Sequence, residues 1–564
     1  MTLIGLKIIK RSKVLTKKEK RKMIALGFCE TFCNSYKLIL KLPFLIFAIP
    51  LILLGAGLEY LGEFLQNVGN IVDTPIQKIN DINNITFTKG EAREKLLAEI
   101  KSDVEILKSA NTNHEANLNT LNSWKQETEV DLEGIHDTID SHTNEFNLLR
   151  EGMATLVKSE AELEEAVNSG RRIIVIKSGE YDYSKSYWLR SNTKIVGNGE
   201  VIFKFKAGGQ NILFSNYLTG DEGGYDGTTN IRIENITCDL SNRDDRVTTF
   251  GFAHANNIIL DNIRLKGGNA WHYVEFNGCA DCEIMNCRLS DYGTNNPNGT
   301  ASEMIQLDGS LNSSCYPWTC KYDKTMCRNI KIHNNRFYNC HSSCIGNHTF
   351  EAGCITQSIE IYENDIQRCF KFMTLSDIIG LYVHDNYGID VCHFYYGGKQ
   401  QNMCKNFMFY SNDITGTKGK NYLNDNLGRF FWGTNTDLSF ALVKIYDNRI
   451  CNFSGHSIGL TGNWVDINNN FIQGSGKHGI YAYGGAKWKI RNNVVVDAAQ
   501  SSIRLGENPN LELWGATVTD NDFDNVGSIG GINQNTVITN NRGTIEDQLI
   551  NQIKSGNVTG NFSY

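Results

Sequence analysis

The chain has 564 residues, and its 55 basic against 62 acidic side chains leave a formal charge of −7. That balance excludes a general nucleic-acid binder, whose phosphate contacts need a basic surface. Only 6 prolines stand against 52 glycines, which demands many tight turns in left-handed backbone conformations.

Residues 1–90 read as a basic and hydrophobic anchor region. Eleven Lys/Arg between Lys7 and Lys41 precede "LPFLIFAIPLILLGAGL" (42–58), an uncharged run of seventeen residues followed by Glu59 and Glu63. That length is at the short end of a membrane span, and the charge order places the N-terminus on the cytoplasmic side. The run lies far from the start and lacks a small-residue cleavage site, unlike a secretory signal. A buried plug docked into another protein is the alternative, and Pro43 and Pro50 favour it.

Residues 91–156 read as a stalk. From Leu97 to Leu156 the seam steps by three and four, and thirteen of its eighteen positions are apolar. A seam sustained this long predicts a parallel, three-stranded coiled coil, because a lone helix cannot bury it. An antiparallel hairpin turning near Asn111–His114 or Gly134 is the other solution. The chain is therefore expected to be a homotrimer.

Residues 157–545 repeat. Aligned on the first apolar residue of each unit, Ile231, Ile258, Cys282, Ile330, Ile359, Leu381, Phe407, Val443, Val465, Trp488, Ala516 and Thr536 are separated by 20 to 29 residues, with two longer steps of 48 and 36. The longer steps read as two turns and as one turn plus a loop. An Asn follows four or five residues into each unit, from Asn235, Asn262, Asn286 and Asn334 through Asn448, Asn470 and Asn493 to Asn541. A period in the twenties built of short strands predicts a parallel β-solenoid, an all-β fold with one Asn ladder at a shared corner. "TIEDQLINQIKS" (544–555) reads as a capping helix within a C-terminal cap, 546–564.

Cys282 falls on an inward position, and Cys340, Cys369 and Cys392 should stack inside as small hydrophobes. Cys279 and Cys282 form C-x-x-C without a second pair at ligand spacing, so no metal site is expected. Cys315, Cys320 and Cys327, in the loop 290–327, are the disulfide candidates.

"VKSEAELEEAVNSGRRIIVIKSGEYDYSKSYWLRSNTKIVGNG" (157–199) resembles the opening cap of the pectate-lyase-like right-handed parallel β-helix of phage tailspikes. "WHYVEFNGCADCEIMNC" (271–287), "SEMIQLDGS" (302–310) and "SSCIGNH" (342–348) are similar to phrases of tail-associated and surface β-helix proteins. The resemblance covers roughly residues 155–545. It implies a virion tailspike or surface spike that binds and depolymerises a host cell-surface polysaccharide. It also implies attachment to the virion or a membrane through the N-terminus, with no cofactor and no nucleic acid. A non-enzymatic adhesin of the same shape, or a membrane-anchored protein acting on extracellular glycans, fits the same pattern.

Strict alternation puts Val274, Ile305 and Ile345 inside as one column. It leaves Tyr273, Glu275, Asn277, Met304, Gln306 and Asp308 outside, with Asn277, Asp308 and His348 sharing an outward column. Glu275 and Asp308 would then lie about 7–9 Å apart. That separation falls between the retaining and inverting glycoside-hydrolase geometries. Glu275 and Asp308, with His348 beside them, are the expected acid/base set, and Glu303 and Glu351 are further candidates. A glycoside hydrolase is favoured over a lyase, because no Lys/Arg base stands beside acidic Ca²⁺ ligands. Tyr273 and Gln306 would orient sugar hydroxyls, and Trp271 and Trp318 would stack on sugar rings, with "HFYYGG" (393–398) and "RFFWGT" (429–434) nearby. Solvated surface acids and aromatic core stacks are the competing reading.

Overall fold

The computed structural model describes residues 154–563, interrupted at 184, 206–211, 242–246, 270, 295–302, 314–315, 318–319, 348–350, 398–400, 418–426, 434–439, 507–512, 524–527, 532–535, 543 and 546–557. The anchor run 42–58 and the seam 97–153 lie outside the described residues. Among the described residues no helix is long and apolar enough to cross a membrane.

A strand, Ala154–Val157, opens the domain and pairs with Ile173–Tyr183, so the last residues expected in the stalk belong to the sheet; a short helix, Glu160–Asn168, follows. Ser159 caps it by accepting a hydrogen bond from the Glu162 amide at 3.2 Å, and Leu163, Ala166 and Val167 are buried beneath. The 38 described strands, one before the helix and the rest after it, join one hydrogen-bonded system in which strand pairing is parallel throughout. Each coil contributes a strand to three faces. One coil supplies Asn256–Asp261 to the first face, Arg264–Lys266 to the second and Trp271–Asn277 to the third. The next supplies Ala280–Met285, Arg288–Tyr292 and Glu303–Asp308. The chain is a parallel β-helix. Its core is a single column of stacked interiors, with Ile231, Ile258, Cys282, Ile330, Ile359, Leu381, Phe407, Val443 and Val465 in successive register and all buried.

Three details differ from the sequence expectation. Cys282 pairs directly with Ile330, so the 48-residue step is one coil. Its excess length lies in loops on either side of Glu303–Asp308, and length alone cannot separate a loop from an extra turn. A further strand, Val558–Ser563, pairs with Thr536–Arg542 and carries the ladder past residue 545. The expected helix over 544–555 begins instead with a two-residue strand, Thr544–Ile545.

The asparagines form two columns rather than one. Asn335, Asn364, Asn386, Asn412, Asn448, Asn470, Asn493, Asn521 and Asn541 are buried and linked amide to amide; Asn448 donates to Asn470, and Asn470 to Asn493, each at 2.9 Å. Each amide also donates to a main-chain carbonyl, as Asn470 does to Ile445 at 2.8 Å. The column therefore satisfies its own buried donors and acceptors. The left-handed residue is the one before, occupied by Asn235, Asn262, Asn286 and Asn334 early on and by Glu363, Asp385, Ser411 and Asp447 later. A spacing of four marks the turn, and a spacing of five marks the ladder.

Ten of the described cysteines, Cys279, Cys282, Cys327 and Cys369 among them, are free thiols. Cys340 and Cys369 stack in register, but Cys369 pairs with Val391, leaving Cys392 one position off the column. Cys327 is buried at the end of the loop 290–327, one residue before the strand Arg328–His333, its thiol donating to the carbonyls of Phe276 and Asp308 at 3.3 and 3.1 Å.

Candidate glycan-facing stripe

The third face bends, and at the bend two consecutive residues point inward. Tyr273–Val274, Met304–Ile305, Cys344–Ile345, Phe372–Met373, Phe394–Tyr395 and Phe430–Phe431 are all fully buried in the core. Tyr273 and Met304 are thus inside, against the alternation expectation. A bend takes up one step of the period-two pattern, so strict alternation fails there. The Tyr273 hydroxyl donates to the Ser290 carbonyl at 2.7 Å and accepts from the Gly268 amide at 2.9 Å, which removes it from any substrate role.

On the outer side of the bend the same rule builds two facing columns. Before the bend stand Thr248, His272, Glu303, Ser343, Lys371, His393, Arg429 and His456; after it stand Gly251, Glu275, Gln306, Gly346, Thr374, Tyr396, Trp432 and Gly459. The columns interlock across successive coils. Thr248 donates to Glu275 Oε2 at 3.2 Å, and the Ser343 and Thr374 hydroxyls meet at 2.9 Å. Lys371 Nζ lies 5.2 Å from the Tyr396 ring, and Arg429 lies 3.9 Å over the Trp432 ring. At about 4.8 Å per coil, the stripe is roughly 35–45 Å long.

Its N-terminal end is acidic and closed. Glu275 is 3% exposed, Glu303 3% and Asp308 0%. These expected surface acids are buried, and among the described residues of the loop that follows, Tyr316 packs close to Glu275. Tyr316 reaches Ser215 Oγ at 2.7 Å, and the Lys321 carbonyl meets His254 Nε2 at 2.6 Å. Burial first, then the charge of Asp308 and that of Glu303, hold the Glu275 carboxyl well above the usual carboxylate range, against the opposing Thr248 hydrogen bond. Gln306 donates to Asp308 Oδ2 at 2.6 Å, and Asn277 is Asp308's register partner. Among the described residues Gln306 Oε1 and Asn277 Nδ2 are buried without a hydrogen-bond partner. Glu303 stands at the start of the strand Glu303–Asp308, over Gly346, where an added Cβ would sit 2.5 Å from its Cγ. His272 Nδ1 is 3.0 Å from the Glu303 carbonyl oxygen and 3.8 Å from its Oε2.

The other half is basic and aromatic. Trp432 stacks on His456 at 5.5 Å, and His456 stacks on His478 at 5.1 Å and packs against Tyr481 at 5.0 Å. Burial, then His478, Lys477 and Arg429, bring the His456 pKa down to about 3, so its ring is neutral at neutral pH. Gly459 leaves space for Trp432, since a Cβ there would stand 2.5 Å from the indole.

The structure therefore brings Glu275, Asp308, Glu303 and Gln306 together. Trp271, half-buried with a left-handed φ of 66°, borders them, and its carbonyl accepts from the Tyr292 hydroxyl. Glu351 stands apart, ion-paired with Lys324. His348 and Trp318 lie outside the described residues. Sequence reasoning missed His272, Lys371 and His456, while Arg429 and Trp432 fall within the phrase 429–434 that it singled out. The signal was a recurring four-residue phrase, outward, core, core, outward: "HYVE", "EMIQ", "SCIG", "KFMT", "HFYY", "RFFW" and "HSIG". Among the described residues no group of three or more His, Cys, Asp or Glu is placed to hold a metal ion.

No protein-family model and no curated protein matches this chain. Solved structures do. PfbA, a surface adhesin of Streptococcus pneumoniae, is 13% identical, with 67% of this chain and 89% of that one covered at a TM-score of 0.40. A mutant tailspike protein of E. coli bacteriophage HK620, in complex with a pentasaccharide, is 12% identical over 72% of this chain and 77% of that one, TM-score 0.49. The A-module of a mannuronan C-5 epimerase of Azotobacter vinelandii is 13% identical over 73% and 93%, TM-score 0.34. At these identities the likeness concerns the coiled architecture, which the hydrogen-bonded ladders define on their own.

Proposed function

We propose that the protein binds a host cell-surface polysaccharide along the third face. The observation that carries this reading is the stripe itself, a run of aromatic rings and hydrogen-bonding side chains that follows the helix axis for several coils. An extended sugar chain matches a long, linear array of this kind. Half-buried Tyr396 and Trp432 offer ring surface, and Lys371 and Thr374 offer donors beside them. In this reading the protein is a spike-like virion protein or a surface adhesin, displayed as a homotrimer on a stalk that ends before the strand Ala154–Val157 and held by residues 1–90.

A second reading adds cleavage. Glu275 holds its proton through burial and two neighbouring carboxyls, as a general acid must, while Asp308 or Glu303 would serve as its partner. The unsatisfied Gln306 and Asn277 atoms would hydrogen-bond sugar hydroxyls. For substrate to reach these groups, the segment around Tyr316 has to move aside.

Incubating the full-length protein with purified host-envelope polysaccharides, followed by retention and product-size analysis, tests both readings. Retention without shorter products supports the adhesin. Retention with shorter products supports the depolymerase. Failure to retain any of them removes the glycan reading.

A further inference from the structure

The corner that leads into the first face is left-handed in each described coil from Asn192 to Gly515. From Asn192 through Asn230, Asn257, Asp281, Asn329, Ser358 and Gly380 to Asn406, it holds only small polar residues or glycine, all with φ between 53° and 82°. Asn and Gly tolerate this conformation, whereas bulky side chains rarely adopt it. Amide ladders add to the fit, with Asn257 donating to Asn230 at 2.7 Å and Asn230 to Asn192 at 2.9 Å. At the next coil the rule breaks. Register continues from Asn406 to Leu442, Trp464 and Lys487, with φ of 56°, 55° and 59°. Leu442 is 48% exposed and Trp464 52%, and Trp514, beside the following corner residue, is 47% exposed. Lys487 Nζ caps the Trp464 ring at 4.8 Å. The chain thus places large apolar groups where both backbone preference and solvent oppose them.

We propose that this ridge of Leu442, Trp464 and Trp514 is a contact between copies of the chain. The ridge runs along the helix axis, so copies aligned in parallel present it to one another at the same height. A parallel coiled coil over 97–153, the arrangement the sequence analysis expects, would align copies in this way. The ridge spans four coils with Lys487 in the third, about 15 Å, and is one side chain wide, far below the roughly 1,200 Å² of a stable free-standing interface. It acts as a local clamp between copies already tethered, whose effective concentration is high. The inference does not depend on the glycan reading.

The test is the full-length double variant Leu442→Asn/Trp464→Asn, which restores the residue type of the upstream corners. Sedimentation, thermal unfolding of the assembled protein, and glycan retention are compared with wild type. The clamp predicts a thermal midpoint lowered by a few degrees and easier dissociation, with the circular dichroism of the folded coils unchanged. If the ridge faces only solvent, asparagine relieves the backbone and the midpoint stays level or rises, which overturns the proposal. Unchanged assembly with lost glycan retention also overturns it and makes the ridge a sugar-stacking surface.

Discussion

The two halves of the third-face stripe share a backbone and a phrase, yet respond to protons in opposite directions. In the half around Glu275 the burial of a carboxyl favours its neutral form, so the folded state holds a proton that the unfolded chain releases. In the half around His456 the burial of an imidazole favours its neutral form too, but here the unfolded chain holds the proton. The same desolvation therefore has opposite consequences for stability, because one neutral form is protonated and the other is not. The difference teaches that a solenoid face can change its chemistry coil by coil while its register stays constant.

The largest expected effect tests whether the acidic half is chemical. If the protein cleaves its glycan, Glu275→Gln lowers the cleavage rate by about 100-fold or more while retention by the basic half is kept, as measured by product size and binding on the same samples. An unchanged rate would place the chemistry elsewhere.

The pH responses come next. The Glu275 contribution is present below its ordinary value of 4.5 and is lost as the pH rises toward the raised folded value. The His456 contribution is present above its ordinary value of 6.5 and is lost as the pH falls toward about 3. Glu275→Gln should therefore stabilise the protein at neutral pH and lose that advantage below pH 4.5. His456→Gln should lessen the loss of stability on acidification, an effect on the order of a few kcal/mol. Thermal midpoints across the pH range decide it, and parallel profiles for the two variants would erase the contrast between the halves.

Each half also uses a glycine to seat a side chain from the preceding coil, Gly346 under Glu303 and Gly459 beside Trp432. An alanine at either position overpacks the stripe and should cost about 1–3 kcal/mol in denaturant unfolding. Smaller again is Trp432→Ala, which removes the ring under Arg429 and should weaken glycan retention about tenfold, about 1.4 kcal/mol, without altering cleavage.

The coil period, the inward column from Ile231 to Val465 and the existence of an amide ladder were determined by the sequence, because each coil repeats one local pattern and stacking needs no long-range information. The pairing of Val274 with Ile305 and of Asn277 with Asp308 was legible for the same reason. Which asparagine belongs to the ladder was decided by one residue of spacing, since Asn335 bonds in the column while Asn334 makes the turn. Only the tertiary structure decided the bend that turns Tyr273 and Met304 inward and the packing of Tyr316 close to Glu275. Such features depend on how a loop folds back across neighbouring coils, and a repeat pattern carries no information about what lies above it. The outward residues of the acidic half are buried, and their chemistry follows from that burial.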